Sequence, residues 1–287
     1  MSGGRSLLAM IEERIAAGDY RLPARSSVAA ELHTLAADPD FEMTRVIGLV
    51  SGDAALTGEI LRVANSALYT GLSKVATVRE AVVRLGSAQV FRLAMQTCEK
   101  EQYHACAPVL DGFMEPLWQH AVGVAHGSAW LARKLGYRDL EQTAFVAGLL
   151  HDVGKLLLVK VIDDVFSAEQ IDGGLTDQLI REILESAHVT CGFELARSWG
   201  LPEEYGRIIR DHHQDDLSQG GTLINLVALS DKACRRLGLG IESEPSLVLA
   251  VTDEAATLGA GDIVLAQLLV ALEDIQAECA NPEGVPR

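Results

Sequence analysis

The sequence predicts an all-helical protein built as a bundle of two lobes. Three observations carry this expectation. Apolar residues recur at helical spacing along almost the whole chain, runs of strand-type alternation are absent, and the pattern breaks clearly only near residues 103–112. The expected organisation is an N-terminal helix at 1–21, an N-terminal helical lobe at 22–105, and a second helical lobe at 106–287.

Leu7, Leu8, Ile11 and Ile15 form the first apolar stripe, and Val28, Leu32 and Leu35 form the next, after Pro23. Asp53 is a candidate N-cap for a helix carrying Leu56, Ile60, Val63, Ala64 and Ala67. Thr77 and Glu80 have the spacing of a capping box ahead of Val78, Ala81, Val82 and Leu85. Gly86 ends that helix, and Ser87 is a candidate cap for the one with Val90, Leu93, Ala94 and Thr97. Asn65 and Ser66, near a helix end before Gly71, are expected to satisfy local backbone groups; Asn65 and Tyr69 could instead face the second lobe or a partner. Arg62 is a candidate ion-pair partner for an acidic side chain. Cys106, Pro108 and Gly112 mark the break between lobes. Helices are then expected at roughly 113–135, 140–160, 176–198, 203–213, 222–238, 245–258 and 262–279, with a frayed tail from Asn281 to Arg287.

Composition bounds the function. The chain has 287 residues, 48% of them hydrophobic, which is enough for a substantial core. No apolar run reaches the length of a membrane span, and Met1–Arg5 lacks the order of a signal peptide, so a cytoplasmic protein without membrane association is expected. The five cysteines, Cys98, Cys106, Cys191, Cys234 and Cys279, include no Cys-x-x-Cys pair, which argues against a zinc finger and for reduced thiols, most of them in the core. A net charge of −16 disfavours direct nucleic-acid binding, because Arg235-Arg236 is too short to form a basic patch. That charge is compatible with a small phosphorylated ligand in a local pocket, and with a protein partner of basic surface.

The chemistry-bearing residues sit in apolar surroundings. The segment Ala147-Gly148-Leu149-Leu150-His151-Asp152-Val153-Gly154-Lys155-Leu156-Leu157 holds three polar groups that are costly to bury unless something satisfies them. Asp152 could cap a helix or pair with Lys155 beside a core histidine. Alternatively, His151 and Asp152 ligate a divalent cation and Lys155 reaches an anion. His120, His188, the pair His212-His213, and Asp231 in Val227-Ala228-Leu229-Ser230-Asp231 extend the second reading. Imidazole nitrogens with carboxylate oxygens suit Fe, Mn, Zn or Ni better than calcium, and such a set could hold one or two ions. Ions of that kind lower the pKa of bound water and supply a nucleophile for attack on phosphorus. Each residue also has a structural alternative, and His212-His213 could be no more than a polar helix end. His33, His104 and His126 are assigned to structural roles; His126 lies six residues after His120, on another face of the same helix.

The order His120, His151-Asp152 with Lys155, His188, His212-His213 and Asp231 resembles the ligand order of HD-superfamily phosphohydrolases, and most nearly that of the two-metal HD-GYP branch that hydrolyses cyclic di-GMP. The resemblance implies that His120, His151, Asp152 and Asp231 hold one metal, that His188, His212 and His213 hold a second, and that Lys155 contacts the ligand phosphate, with Lys155 and Asp152 the candidate catalytic residues. The rest of the chain resembles the HDOD family more specifically. Asp53-Ala54-Ala55-Leu56-Thr57, Ile60-Leu61-Arg62-Val63-Ala64-Asn65-Ser66-Ala67-Leu68-Tyr69 and Ala81-Val82-Val83-Arg84-Leu85-Gly86 look like its N-terminal signature. Leu117-Trp118, Gly148-Leu149-Leu150-His151-Asp152, His188 with Gly192, Leu195-Ala196-Arg197, Trp199 and Leu201-Pro202 continue it, so the likeness runs from about Leu22 to about His213.

That resemblance implies a bacterial signal-transduction module with an HD-like second lobe, acting on a regulatory protein partner or through a nucleotide or phosphate ligand. The alternative it carries is a metal-dependent phosphohydrolase acting on a nucleotide or cyclic dinucleotide. Two departures weaken the cyclic di-GMP hydrolase reading and leave metal binding open. After the His-His pair the HD-GYP enzymes have Gly-Tyr-Pro, where this chain has Gln214-Asp215-Asp216-Leu217. One turn before the first ligand histidine they have Glu, where this chain has Pro116, with Glu115 beside it.

Overall fold

The computed structural model describes residues 7–17, 27–36, 38, 42–69, 74–169, 175–214, 216–217 and 220–280. Met1–Arg5, Pro23, Gly71 and the tail Asn281–Arg287 lie outside them. Among the described residues the regular structure is entirely helical, with no strand.

Helices α1 (Leu7–Ala17), α2 (Ser27–Ala36), α3 (Met43–Ser51), α4 (Ala54–Ala64), α5 (Val78–Leu85) and α6 (Ser87–Lys100) come first, and α2–α6 pack on one another. The local signals explain their ends. Asp53 accepts from the amides of Ala55 (2.9 Å) and Leu56 (3.0 Å), which fixes the start of α4. Thr77 Oγ1 accepts from the Glu80 amide (3.2 Å), and the Glu80 carboxylate accepts from the Ala76 amide (2.8 Å), a capping box reaching one residue further back than usual. Gly86 (φ 87°) ends α5 and is itself the N-cap of α6, so Ser87 is the first helical residue and not the expected cap.

Asn65 acts locally. Its amide donates to the carbonyls of Leu61 (2.9 Å) and Val75 (2.8 Å), and its oxygen accepts from the Val75 amide (2.8 Å). It thus ties the end of α4 to the extended approach to α5. Arg62 pairs with Glu59 on its own helix (2.6 Å).

The long helix α7 (Pro108–Lys134) organises the second lobe. It begins five residues before its expected start. Pro108 sits in the first turn, where its missing N–H costs nothing, so the proline that reads as a breaker is an initiator. Asp163 reinforces this end by accepting from the amides of Cys106 (2.7 Å) and Ala107 (3.0 Å). Around α7 pack α8 (Glu141–Leu150), α9 (Val153–Glu169), α12 (Thr222–Leu237) and α14 (Asp262–Ala280); α10 (Asp177–Ser198) lies on α9 and α11 (Glu203–Asp211) on α10. The first helix, α1, lies against α9. The helix expected at 245–258 reduces to a single turn, Leu249–Val251, and α13 (Asp253–Leu258), because Thr252 is extended (ψ 146°) and caps α13 through the Ala255 amide.

The two groups of helices share one apolar core: α8 touches both α2 and α6. Polar contacts at this seam include Arg92–Glu141 (3.1 Å) and Thr143 Oγ1 donating to the Ala36 carbonyl (3.2 Å). Cys98, Cys191 and Cys234 are buried and Cys106 is exposed, all as free thiols. No helix among the described residues is long and apolar enough to cross a membrane.

Candidate metal centre

The helix expected at 140–160 is two helices, and the break between them is His151-Asp152. Neither glycine nor proline stands at the break. Instead the His151 ring turns back on its own helix, Nδ1–H donating to the Gly148 carbonyl (2.7 Å), one of the last-turn carbonyls that α8 leaves without a backbone partner. The Asp152 carbonyl then accepts from the Lys155 amide (2.9 Å) and starts α9. Asp152 is thereby aimed at the space between α7, α10, α11 and α12.

Close packing of α9 on α10 brings His188 to the same place. A Cβ on Gly154 would lie 1.9 Å from the His188 carbonyl oxygen and 2.7 Å from the Gly192 nitrogen, so only glycine permits this approach. From α7 comes His120, from the end of α11 His212 and His213, and from α12 Asp231.

All eight residues expected at the site converge. Asp152 is at the centre: Oδ2 is 3.6 Å from His120 Nε2 and 3.5 Å from His151 Nε2, and Oδ1 is 3.4 Å from His188 Nε2 and 3.6 Å from His212 Nε2. Asp231 Oδ1 lies 3.1 Å from His120 Nε2. The donors fall into two groups that could each hold an ion, one of His120, His151 and Asp231, the other of Asp152, His188, His212 and His213. Asp152, which the resemblance assigns to the first set, faces both through its two oxygens. His120, His151, Asp152, Lys155, His188, His212 and Asp231 are buried, and His213 stands at the exposed rim.

The imidazoles share one orientation. Nδ1–H donates to a backbone carbonyl in each of four rings: His120 to Leu239 (2.9 Å), His151 to Gly148 (2.7 Å), His188 to Leu184 (2.8 Å) and His212 to Ile209 (3.0 Å). This fixes the tautomer and leaves each Nε2 lone pair pointing inward. Those four Nε2 atoms and Asp152 Oδ1 are buried without a hydrogen-bond partner. Buried polar atoms are almost always satisfied, so five orphans converging on one point fit a cation-binding centre. Separations of 3.4–3.6 Å are long for hydrogen bonds, but close to the edge of a coordination shell with bonds of about 2.1 Å.

Protonation favours the same use. Burial lowers His151 to about 3 and His213 to about 4, and lowers His188 as well, so their lone pairs are free at neutral pH. Burial also opposes ionisation of Asp152, but Lys155 and the surrounding imidazoles overcome it and hold the carboxyl well below its ordinary range. For Asp231 burial is overcome chiefly by His120. His120 is the exception and moves upward: burial lowers it, but the facing Asp231 (3.1 Å) and Asp152 more than offset that and favour a positive charge at this ring.

Lys155 pairs with Asp152 Oδ2 (2.8 Å) and with Glu242 Oε1 (3.1 Å), and despite burial these carboxylates raise its pKa. Glu242, the backbone carbonyl of Leu239, and Arg235 (3.5 Å from Glu242 and 3.9 Å from Asp231 Oδ2) are site residues that sequence reasoning missed. The sequence signal was an acidic residue two positions after the Gly238-Leu239-Gly240 turn.

The histidines assigned to structural roles stay away from the centre. His33 pairs with Glu99 (3.0 Å) and His126 Nε2 accepts from Gln96 (2.8 Å); the His104 carbonyl accepts from Lys160.

Fold and cluster together define a helical domain with a His/Asp centre able to hold a metal. The HDOD domain family profile matches residues 22–215, and the chain belongs to that family. Similar folds occur in an HDOD domain protein of unknown function from Geobacter sulfurreducens (TM-score 0.73, 23% identity, 94% of this chain and 96% of that one). A Shewanella amazonensis protein to which a metal-dependent phosphohydrolase role is ascribed gives a TM-score of 0.66 at 19% identity (94% and 98%). A Marinobacter aquaeolei protein ascribed to signal transduction gives 0.72 at 22% (97% and 66%). An uncharacterized protein of Treponema pallidum is 25% identical over 196 residues, which are 67% of this chain but only 37% of that protein's length.

Proposed function

We propose that this chain is a cytoplasmic regulatory module of bacterial signal transduction, whose HD-like pocket holds one or two divalent transition-metal ions and whose helical surface acts on a protein partner. The observation that carries the metal reading is the set of four tautomer-fixed, unpartnered Nε2 atoms around the two oxygens of Asp152. His120, His151 and Asp231 would serve one ion, His188, His212 and His213 the other, with Asp152 between them. Nitrogen-rich donors of this kind suit Fe, Mn, Zn or Ni. Support for a regulatory role comes from family membership and from Gln214-Asp215-Asp216-Leu217 standing in place of Gly-Tyr-Pro.

A second reading, a metal-dependent phosphohydrolase acting on a nucleotide or cyclic dinucleotide, is favoured by Lys155 beside Asp152 (2.8 Å). Ions held at this centre supply Lewis acidity and a nucleophile at neutral pH. Lys155 would bind a phosphate oxygen, Asp152 would hold Lys155 and the donor array in register, and His213 at the rim would meet the ligand's entering side.

Elemental analysis of protein purified without chelator tests the metal reading, with one or two ions per chain expected and none in the His151→Ala, Asp152→Ala double variant. Metal-loaded protein is then assayed with manganese or Fe(II) on cyclic dinucleotides, nucleotides and simple phosphate esters. Bound metal without turnover agrees with the regulatory reading, turnover abolished in the double variant establishes the hydrolase, and absence of metal overturns both.

A further inference from the structure

One short loop covers the His120 and Lys155 side of the centre. Gly238 (φ 70°) closes α12, and the chain turns back across the mouth of the pocket. Leu239 gives its carbonyl to His120 (2.9 Å). Gly240 (φ 119°) runs so near that an added Cβ would be 2.9 Å from His120 Cβ. Arg181 donates to the Ile241 carbonyl. Glu242 then reaches inward to Lys155 (3.1 Å). The space left among Leu117, His120, Lys155, Ile241 and Glu242 is about 10 Å³, scarcely one water molecule.

The two carboxylates on Lys155 are not equivalent. Asp152 is 7% exposed and sits inside the donor array, whereas the Glu242 side chain is 33% exposed and belongs to a loop. A buried ammonium needs an anion beside it, so a phosphate oxygen arriving at Lys155 can replace only the partner that is free to leave. That partner has somewhere to go. Arg235 Nε lies 3.5 Å from Glu242 Oε2, and Arg235 also holds Glu244 (3.0 Å) on the same loop.

We propose that Glu242 is an internal gate: its carboxylate occupies the anion position on Lys155, and a phosphate-bearing ligand enters by displacing it toward Arg235 while Leu239 stays on His120. The gate rests on the proposed metal pocket for the ligand's access to an ion, but the competition for Lys155 itself does not require one.

Calorimetric titration of inorganic phosphate into the full chain, with and without manganese, tests it. Glu242→Gln keeps the shape and removes the charge, and Glu242→Asp withdraws the carboxylate by one methylene. Phosphate is expected to bind at least tenfold more tightly to each than to wild type. The gain should vanish when Lys155→Gln is combined with Glu242→Gln. In wild type, phosphate should speed amide exchange across residues 241–243, a change that a merely structural loop would not give. Unchanged or weaker phosphate binding in both Glu242 variants overturns the gate. Manganese bound without that gain overturns the gate alone; the gain without bound manganese upholds the gate and overturns the metal reading.

Discussion

Replacing Gly154 with alanine adds one methyl group at the tightest point of the α9–α10 crossing. The new Cβ would lie 1.9 Å from the His188 carbonyl oxygen, 2.7 Å from the Gly192 nitrogen and 2.8 Å from the His188 carbonyl carbon, where ordinary contact begins near 3.4 Å. Every one of these atoms is backbone, so no side chain can swing aside and the helices must part by more than about 1 Å, weakening dispersion contacts along the crossing. Overpacking of this kind costs about 3 kcal/mol or somewhat more. Alanine's better helix propensity returns at most about 1 kcal/mol, leaving a net loss of about 2–3 kcal/mol. At roughly 2–4 °C per kcal/mol, the melting temperature followed by far-UV circular dichroism should fall by about 5–10 °C. Because His188 moves with α10 while Asp152 stays with the start of α9, bound metal measured by elemental analysis should fall in the same variant. Gly112, whose added Cβ would meet nothing within 4 Å, is the control: alanine there should be neutral or stabilising by up to about 1 kcal/mol. A Gly154→Ala protein that melts with wild type and keeps its metal would refute the claim that this crossing sets the geometry of the site.

Asn65→Ala deletes three hydrogen bonds, one to the Leu61 carbonyl within α4 and two to Val75, and urea unfolding should register a loss of about 2–3 kcal/mol without change in metal content. Manganese at a hundredfold excess over its dissociation constant should stabilise wild type by about 2.7 kcal/mol and raise its melting temperature, with no shift in the His151→Ala, Asp152→Ala variant and reversal by chelator. His126, lowered to about 3 by burial and by nearby Arg92, is neutral when folded and protonates near its ordinary pKa of 6.5 when unfolded. The unfolded chain therefore binds the extra proton between pH 6.5 and 3, and stability present above pH 6.5 is lost as pH falls through that window. Urea unfolding at pH 7.5 and 5.5 should show a drop about 1 kcal/mol smaller in His126→Gln than in wild type.

Helix identity was legible wherever the pattern and an end signal agreed. Asp53, and Thr77 with Glu80, cap the helices that their spacing predicts. The failures came where tertiary contact overruled local chemistry. Pro108 reads as a break because its ring cannot continue a helix, but Asp163, far downstream and on another helix, completes the cap that makes Pro108 a starting residue. Leu150 and Val153 carry one uninterrupted apolar period, yet α8 ends between them because the His151 ring competes for the Gly148 carbonyl. At Thr252 the apolar spacing across 245–258 masked a cap that divides the segment.

The donor set of the centre was legible because its costs are visible in one dimension. An imidazole or carboxylate inside an apolar run must find a partner somewhere, and His120, His151, Asp152 and Asp231 stand in such runs. What closes the site was not legible, because its parts are cheap where they stand. Glu242 in a polar loop needs no explanation until Lys155 is seen 3.1 Å away, and the Leu239 carbonyl carries no side-chain signal at all. The same asymmetry bears on function. Donors fixed by helix packing and by carbonyls of their own helices, as His188 and His212 are, hold their positions whatever enters the pocket. In the proposed gate, access depends instead on a loop whose carboxylate stands between two cations, Lys155 and Arg235. A centre built rigidly and guarded by a movable charge suits a domain that responds to an anionic ligand, because ligand and loop compete for one ammonium and occupancy is thereby written onto the protein surface where a partner can read it.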